Sequence, residues 1–254
     1  MFAVTAALAE AAGMVIKTGS VEVDWVTADG DRRQLALDAA AVVGFEDGVP
    51  VRRFTPRKGQ RHLGGRWWCA TTGGHVGFES WLERDHVMLL DFDPAVVGIA
   101  AQPFWLSWPN EAGTRTRHAP DLFARRIDGT ALVVDCRPVE RRRPQDLAKF
   151  AVTGHACARL RWEYRLVAGL DPVLVGNLRW LSGYRHPRND VPAVGVSLMD
   201  VFATPTPLLA GAEAVGDPIA VLPALFHLLW RQVLSADLSR PLGEATLVAF
   251  GVAP

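Results

Sequence analysis

The chain has 254 residues, of which 49% are apolar, so it can bury the core of one large domain or of two small ones. Its 27 basic and 27 acidic residues cancel, so net charge neither requires nor excludes a nucleic-acid or membrane partner. The three cysteines are an odd number without C-x-x-C spacing, which excludes a disulfide framework and a cysteine zinc site.

The sequence offers no clear membrane or export segment. The longest uncharged run, 94–110, is interrupted by Gln102 and by prolines and is too short to cross a bilayer. The N-terminus lacks a positively charged start and carries Glu10, which argues against a secretory signal. Together with the cysteine usage, these features predict a cytoplasmic protein with no membrane partner.

Basic residues concentrate in the middle of the chain. Residues 51–188 carry 22 basic and 13 acidic side chains, whereas both ends are acidic. Most are arginines, whose planar donor forks suit phosphate oxygens, although a GC-rich coding bias also favours arginine over lysine. The densest cluster leads into Trp67 and Trp68, whose rings could stack on a base or pack in the core. The DNA-binding residues predicted from this cluster are Arg52, Arg53, Arg57, Lys58, Arg61 and Arg66.

The predicted elements alternate between strands and helices. An aspartate-glycine turn at 29–31 joins two strand-like runs and predicts a β-hairpin. Apolar periodicity predicts the remaining strands and helices. In chain order the elements are strands at 21–26 and 34–37, a short strand from 67, a helix at 78–90 with its buried stripe at Leu82, Leu89 and Leu90, strands at 97–101, 104–108, 114–124 and 130–137, a helix at 144–160, a strand at 162–167, helices at 172–184 and 218–234, and a strand at 245–250.

This order of elements predicts an α/β fold with a mixed sheet flanked by helices. Charge and composition change at 186–190, which indicates a domain boundary. The last part, with helices followed by a β-extension, is typical of a small winged-helix-like domain or of a helical cap on the sheet. The predicted domains are an N-terminal β-hairpin extension with the basic segment at 1–66, an α/β domain at 67–188 and a C-terminal domain at 189–254.

Two neighbouring strands carry acidic residues that could meet. Asp135 and Arg137 flank Cys136 in one predicted strand, so their side chains lie on the same face. If the preceding strand pairs with it as a hairpin, Asp121 reaches that face too. Two close carboxylates resist joint ionisation unless a cation lies between them, and hard oxygen ligands suit Mg²⁺ or Mn²⁺. The pattern predicts metal-dependent phosphodiester hydrolysis, although alternating charges are also common on surface strands.

A helix before these strands offers a third carboxylate. Glu79 and Glu83 are i, i+4 neighbours and share one helical face, so either could be a metal ligand. A two-metal nuclease site needs an acid delivered from such a helix. The alternative is a solvated helix face on which Glu83 pairs with Arg84.

The order of these residues resembles a known nuclease family. Pro120-Asp121 followed by Asp135-Cys136-Arg137, on consecutive strands after an acidic helix, looks like the PD-(D/E)xK nuclease superfamily. Over 67–188 the chain is more specifically similar to the TnsA-like endonuclease subunits of heteromeric transposases. The motifs that carry this resemblance are His75-Val76-Gly77-Phe78-Glu79-Ser80-Trp81-Leu82-Glu83-Arg84-Asp85, Leu89-Leu90-Asp91-Phe92-Asp93-Pro94, Gln102-Pro103, His118-Ala119-Pro120-Asp121 and Asn177-Leu178-Arg179-Trp180-Leu181.

The resemblance implies a restriction-endonuclease-like mixed sheet, a winged-helix-like C-terminal domain that contacts the regulator and DNA, and cleavage of one strand at transposon ends. It places Glu83 on the family's helix glutamate and Asp121 on its strand aspartate, both as metal ligands. Asp135 would be the third ligand, helped by the backbone carbonyl of Cys136, and Arg137 would support the attacking water. The implied cofactor is Mg²⁺ or Mn²⁺.

The implied partners are transposon-end DNA, an integrase-type transposase subunit that cuts and joins the other strand, and an ATPase regulator. Arg137 departs from the family, which usually has lysine there, because arginine is larger and does not readily give up a proton. Lys149 on the following helix could take the place of that lysine. The departure leaves a second hypothesis open, a catalytically degenerate nuclease fold that serves as a DNA-binding or regulator-docking module. A free-standing restriction or repair nuclease is the third.

Overall fold

The computed structural model describes residues 21–52, 64–110 and 112–251. The strands are β1 (Glu22–Val26), β2 (Arg32–Ala36), β3 (Gly65–Trp68), β4 (His75–Phe78), β5 (Val96–Ala101), β6 (Phe104–Pro109), β7 (Arg115–His118), β8 (Leu122–Arg126), β9 (Ala131–Cys136), β10 (Glu163–Val167), β11 (Thr206–Pro207), β12 (Leu234–Ala236) and β13 (Leu247–Phe250). The α-helices are α1 (Trp81–Phe92), α2 (Pro144–Arg159), α3 (Pro172–Ser182), α4 (Pro192–Val201), α5 (Leu208–Val215) and α6 (Pro218–Trp230).

The chain forms two compact units. The first unit ends at Asp91 and resumes over Ala95–Gly169, and the second contains Phe92–Pro94 and the chain from Leu170 onward. The units therefore divide before α3, whereas the sequence places the boundary after Arg188.

The first unit begins with the predicted β-hairpin. Strands β1 and β2 pair antiparallel around a turn in which Gly30 has φ of +89°, a conformation that favours glycine. Strand β1 also pairs with β6, and β6 pairs with β7, so the hairpin extends a four-stranded sheet in the order β2-β1-β6-β7. Val23 and Leu106 are buried on its inner face, and the alternation of strand side chains leaves the other face to solvent.

The predicted mixed sheet is present in the first unit. Its order is β10-β9-β8-β5, with β10 parallel to β9 and the other pairs antiparallel. Leu132 and Val134 of β9 pack with Val87 and Leu90 of α1. Val133, from the other face of β9, belongs to the core cluster that contains residues of α2. Helices on both faces explain why β9 reads as a nearly continuous apolar run.

One predicted strand proved to be two. The run 114–124 was predicted as a single element, but β7 ends at His118 and β8 begins at Leu122. The two strands belong to different sheets, because β7 pairs with β6 whereas β8 pairs with β5 and β9. Pro120 has no N–H to donate to a ladder, which favours a break at this point. Asp121 therefore lies in a link between sheets and not within a strand.

The region before the first helix was also predicted incompletely. The hairpin of β3 and β4 pairs Trp67 with Val76, and strand β4 was not predicted. Helix α1 begins at Trp81, later than the predicted start at Phe78, because Phe78 is the last residue of β4. Its most buried apolar residues are Val87, Met88 and Leu90, whereas the predicted stripe residues Leu82 and Leu89 are half-buried.

The second unit combines helices α3 to α6 with a small antiparallel sheet in the order β11-β13-β12. The ring of Phe226 in α6 lies 5.7 Å from that of Trp180 and 4.8 Å from that of Tyr184. The Asn177 amide donates to the carbonyls of Leu238 and Arg240 at 2.9 and 2.7 Å. These contacts tie α3 and Tyr184 into the second unit, which explains why the units divide earlier than predicted.

The described chain is thus a mixed α/β protein with several sheets, in agreement with the predicted class. The finer predictions, a restriction-endonuclease-like sheet and a winged-helix-like C-terminal domain, remain proposals. Within the described residues, no helix is both long enough and apolar enough to span a membrane.

Candidate functional site

Asp121 is fixed at the point where the chain passes between the two sheets of the first unit. Its Oδ2 accepts a hydrogen bond of 2.7 Å from the backbone N–H of Cys136 at the end of β9. Its carbonyl accepts one of 2.9 Å from the backbone N–H of Gln102. The β8–β9 register pairs Leu122 with Val134, so Asp121 lies opposite Asp135. The hairpin pairing that the sequence required for this approach is therefore present.

The acidic residues singled out in the sequence influence one another electrostatically. Burial, followed by the charges of Asp135 and Glu83, raises the pKa of Asp121 well above its ordinary value. Burial is also the largest cause of the raised pKa of Glu83, with a smaller contribution from the charge of Glu79. The positive charge of Arg52 opposes both shifts. The fold thus brings the predicted carboxylates close enough together to disfavour their joint ionisation.

Glu83 has a structural role at the N-terminus of α1. Its Oε2 accepts from the backbone N–H of Glu79 at 2.7 Å, and its Oε1 accepts from the Ser80 hydroxyl at 2.9 Å. The Ser80 Oγ in turn accepts from the backbone N–H of Glu83 at 3.2 Å. This pattern is a variant of the capping box in which the glutamate accepts from the N–H before the N-cap, while Ser80 satisfies an N–H that the helix leaves without a partner. The S-x-x-E spacing in the sequence is therefore as typical of a helix cap as of a metal ligand.

Asp135 is buried, with 1% of its surface exposed, and both of its oxygens accept hydrogen bonds. The Nε2 of His118 lies 2.9 and 3.0 Å from them, and the Tyr164 hydroxyl donates to Oδ2 at 2.8 Å. In the tautomer with its N–H at Nε2, His118 donates to this carboxylate. The raised pKa of Tyr164 follows from burial and from the Asp135 charge. Asp135 thereby joins the end of β7 in one sheet to β9 and β10 in the other.

Arg137 and Cys136 are directed to different partners. The Arg137 Nη2 donates to Asp146 of α2 at 3.0 Å, and its Nε is buried without a hydrogen-bond partner among the described residues. The Cys136 side chain packs partly against the apolar cluster on the α1 side of the sheet. Burial is the first cause of its raised pKa, ahead of the charge of Asp121. Lys149, the suggested substitute for a family lysine, is half-buried on α2.

Four of the predicted DNA-binding residues lie outside the described residues: Arg53, Arg57, Lys58 and Arg61. Arg66 lies on β3 and is exposed. Arg52 is half-buried and forms a salt bridge to Glu79, with Nη2 to Oε2 at 2.6 Å. Arg52 therefore neutralises part of the acidic cluster, and its direct DNA contact stays a prediction.

The acidic residues suit a divalent cation in chemical type but not in their present arrangement. Hard carboxylate oxygens that raise one another's pKa are the donors that Mg²⁺ and Mn²⁺ prefer. In the described part of the chain, however, no three His, Cys, Asp or Glu side chains form a group that could hold a metal ion. Glu83 and Asp135 would have to exchange their present hydrogen bonds to bind one.

Two residues of this region, His118 and Tyr164, were not predicted as site residues from the sequence, and a third, Gln102, was predicted to be structural. His118 and Tyr164 become neighbours of Asp135 only through the pairing of distant strands, and neither has a local spacing signal. Gln102 has φ of +47° and is 1% exposed, and its side-chain amide forms no hydrogen bond within the described residues. The Gln102 carbonyl accepts a hydrogen bond from the backbone N–H of Val51, and the Gln102 N–H donates to the carbonyl of Asp121.

Neither the family models nor the curated proteins compared with this chain match it. The similarity to TnsA-like endonucleases therefore rests on the motifs alone. The functional argument depends on the geometry of the first unit.

Proposed function

We propose that this protein is a metal-dependent DNA endonuclease subunit of a heteromeric transposase, cutting one strand at transposon ends by phosphodiester hydrolysis. The supporting observation is the convergence of Asp121, Asp135 and Glu83: the burial of Asp121, followed by the charges of the other two, raises the pKa of Asp121. Carboxylates whose pKa is perturbed by burial and by neighbouring charges are common at catalytic sites. The proposed partners are transposon-end DNA, an integrase-type transposase subunit and an ATPase regulator, in the cytoplasm.

In this proposal Asp121 and Glu83 hold a Mg²⁺ or Mn²⁺ ion, with Asp135 and the Cys136 carbonyl completing its surroundings. The bound ion would stabilise charge on the phosphate and make a water more acidic. The Cys136 N–H orients the Asp121 carboxylate from β9. His118 and Tyr164 hold Asp135 at the end of the sheet. Arg137, positioned by Asp146, is the proposed cation beside the phosphate.

The proposal predicts nicking of a supercoiled plasmid carrying the element's ends, in the presence of the partner subunits and Mg²⁺. Asp121→Asn should lower the nicking rate by about a hundredfold or more, since it removes a charged group from the reaction centre. A matched control is Asp38→Asn, because that side chain is 71% exposed and pairs with Arg159 away from the cluster. Equal nicking by the wild type and Asp121→Asn would exclude the assignment.

The stability of Asp121→Asn should separate lost chemistry from lost folding. Because folding raises the pKa of Asp121, wild-type stability falls as the pH rises from the ordinary carboxyl range through the raised pKa. Asparagine does not ionise and can still accept from the Cys136 N–H. In metal-free buffer the variant should therefore be more stable than the wild type at pH 7, with the difference vanishing below about pH 4. Thermal unfolding across this pH range measures it, and a less stable variant at pH 7 would contradict the electrostatic account.

A second candidate function is a catalytically degenerate nuclease fold that binds DNA or docks the regulator. It is favoured by the present hydrogen bonds, since Glu83 caps a helix and Arg137 pairs with Asp146. Arg137→Lys separates the two candidates. A degenerate protein with otherwise intact carboxylates should gain nicking activity, whereas an active enzyme should change by less than about tenfold. No nicking by either the wild type or Arg137→Lys would favour the docking module.

A further inference from the structure

The outer face of the β2-β1-β6-β7 sheet forms a concave, arginine-rich surface. It encloses about 900 Å³ and lies entirely within the first unit. The arginines that line it come from separate parts of the chain: Arg32, Arg33, Arg52, Arg115 and Arg117. Asp24 is the one acidic residue among the described residues of the lining. Strand pairing brings these arginines from distant parts of the chain together, so no local sequence pattern predicts the surface.

Most of this positive charge is available to a ligand in solution. Arg32, Arg33, Arg115 and Arg117 are all exposed. Arg33 pairs with Asp31, with side chains 59% and 65% exposed, and Arg115 pairs with Glu22. Such exposed pairs contribute little and can be exchanged for a stronger anionic partner. Within the described residues, Arg32 and Arg117 form no ion pair.

The aromatic residues of the surface favour contact with a phosphate backbone over base stacking. The Arg117 guanidinium lies 4.3 Å from the centre of the Trp105 ring and covers one face of it. Trp25 packs with its edge against Phe45 in the core, with ring centres 5.7 Å apart. Neither ring offers the open platform on which single-stranded nucleic acids stack their bases. A guanidinium stacked on tryptophan keeps its outward N–H groups free to donate to phosphate oxygens.

The surface is also joined to the acidic cluster. Arg52 lines it and at the same time forms the salt bridge to Glu79 at the N-terminus of α1. Its charge acts on both Asp121 and Glu83. A polyanion lying across the outer face of the sheet would therefore run toward the proposed active site.

We propose that this outer face, through Arg32, Arg115 and Arg117, binds the phosphate backbone of duplex DNA and guides it toward the acidic cluster. The inference rests on the proposed function for its choice of DNA. It adds a binding surface separate from the basic segment in which the sequence placed the DNA contacts. Recognition here is by charge and shape, without base-edge contacts, so it should tolerate any duplex sequence.

Fluorescence anisotropy with a labelled 30-base-pair duplex in EDTA tests the surface independently of cleavage. The variant R32Q/R117Q should bind about tenfold more weakly at low salt, and the slope of log affinity against log salt should fall by about 2. The charge-conserving variant R32K/R117K should keep the wild-type slope. The matched control R143Q/R165Q removes two exposed arginines elsewhere in the first unit and should retain more of the affinity. Circular dichroism confirms folding of each variant.

The outcomes separate this surface from the proposed chemistry. Equal weakening by R32Q/R117Q and by the control, or no binding by the wild type, would overturn the inference. Tighter binding of a single strand or an RNA duplex of the same length would overturn its choice of duplex DNA. If R32Q/R117Q alone loses binding while D121N binds normally, the surface stands whether or not the protein cuts. If D121N abolishes nicking and R32Q/R117Q binds normally, the proposed function stands and the surface does not.

Discussion

Replacing Asp91 with alanine should lower the free energy of unfolding of the first unit by about 4 kcal/mol. Asp91 is 6% exposed and accepts hydrogen bonds that reach the β3–β4 hairpin and the turn between its strands. The donors are the Trp67 indole at 2.9 Å, the Cys69 thiol at 3.0 Å, and the Thr71 backbone and hydroxyl at 2.8 and 2.9 Å. Alanine would leave these donors without this acceptor in a desolvated place.

The size of the effect follows from the number of donors that lose a partner. Each buried donor left unsatisfied costs about 1–3 kcal/mol, and hydrogen bonds to a charged acceptor are stronger than neutral ones. Asp91→Asn keeps one acceptor oxygen, so it should lose roughly half as much. Burial, together with the Asp91 charge, raises the pKa of Cys69 to about 12, which keeps this thiol protonated and unreactive in the folded chain.

Urea unfolding and alkylation of Cys69 measure this prediction at two levels. The unfolding curve gives the free energy, and the rate of Cys69 modification by iodoacetamide reports opening of the hairpin itself. The matched control is Asp200→Ala, an exposed aspartate near the C-terminus of α4, which should change stability by less than about 0.5 kcal/mol. Equal losses in the two variants, or an unchanged Cys69 alkylation rate in Asp91→Ala, would contradict the network described for Asp91.

Asp135→Asn should destabilise the first unit by about 2–3 kcal/mol even in the absence of metal. The carboxylate accepts from both Tyr164 and His118, whereas an asparagine side chain has one acceptor and one donor group. One of the two partners would then face an amide N–H at hydrogen-bonding distance. The penalty is large because Asp135 is 1% exposed, so water cannot replace the lost acceptor.

A double-mutant cycle with Tyr164→Phe isolates this contact. Phenylalanine removes the donor, so the loss caused by Asp135→Asn should be smaller in the Tyr164→Phe background, with a coupling of about 1–2 kcal/mol. The same variants report on function, because a metal ligand lost at Asp135 would abolish nicking while Tyr164→Phe would retain some of it. Additive effects of the two substitutions on stability would contradict the hydrogen bond between them.

Asp121 and Asp135 show how the site depends on the meeting of two sheets. The sequence predicted that Asp121 lies within one long strand, but it lies in the link where the chain passes from one sheet to the other. That link is fixed by Gln102 from the turn between β5 and β6 and by the Cys136 N–H from β9. The first unit therefore positions Asp121 through backbone groups, which a side-chain substitution elsewhere leaves intact.

Local sequence patterns determined much of the architecture. Short runs rich in apolar, β-branched and aromatic residues predicted β5, β6, β9 and β10, because this local preference acts within a few residues. The Asp-Gly turn predicted the first hairpin, since Gly30 supplies the positive φ that the turn requires. The proximity of Asp121 to Asp135 was also predictable, because it follows from hairpin register alone.

Tertiary structure alone decided the remaining contacts of the site. His118, Tyr164 and Asp135 meet through strands that are far apart in the chain, and the arginines around the outer face converge from two strands and a loop. No local pattern encodes which distant strand is a neighbour, because pairing depends on the burial of whole faces. The same cause gives Glu83 and Arg137 hydrogen-bond partners that the sequence did not predict, since a charged side chain bonds to the partners that packing places within its reach.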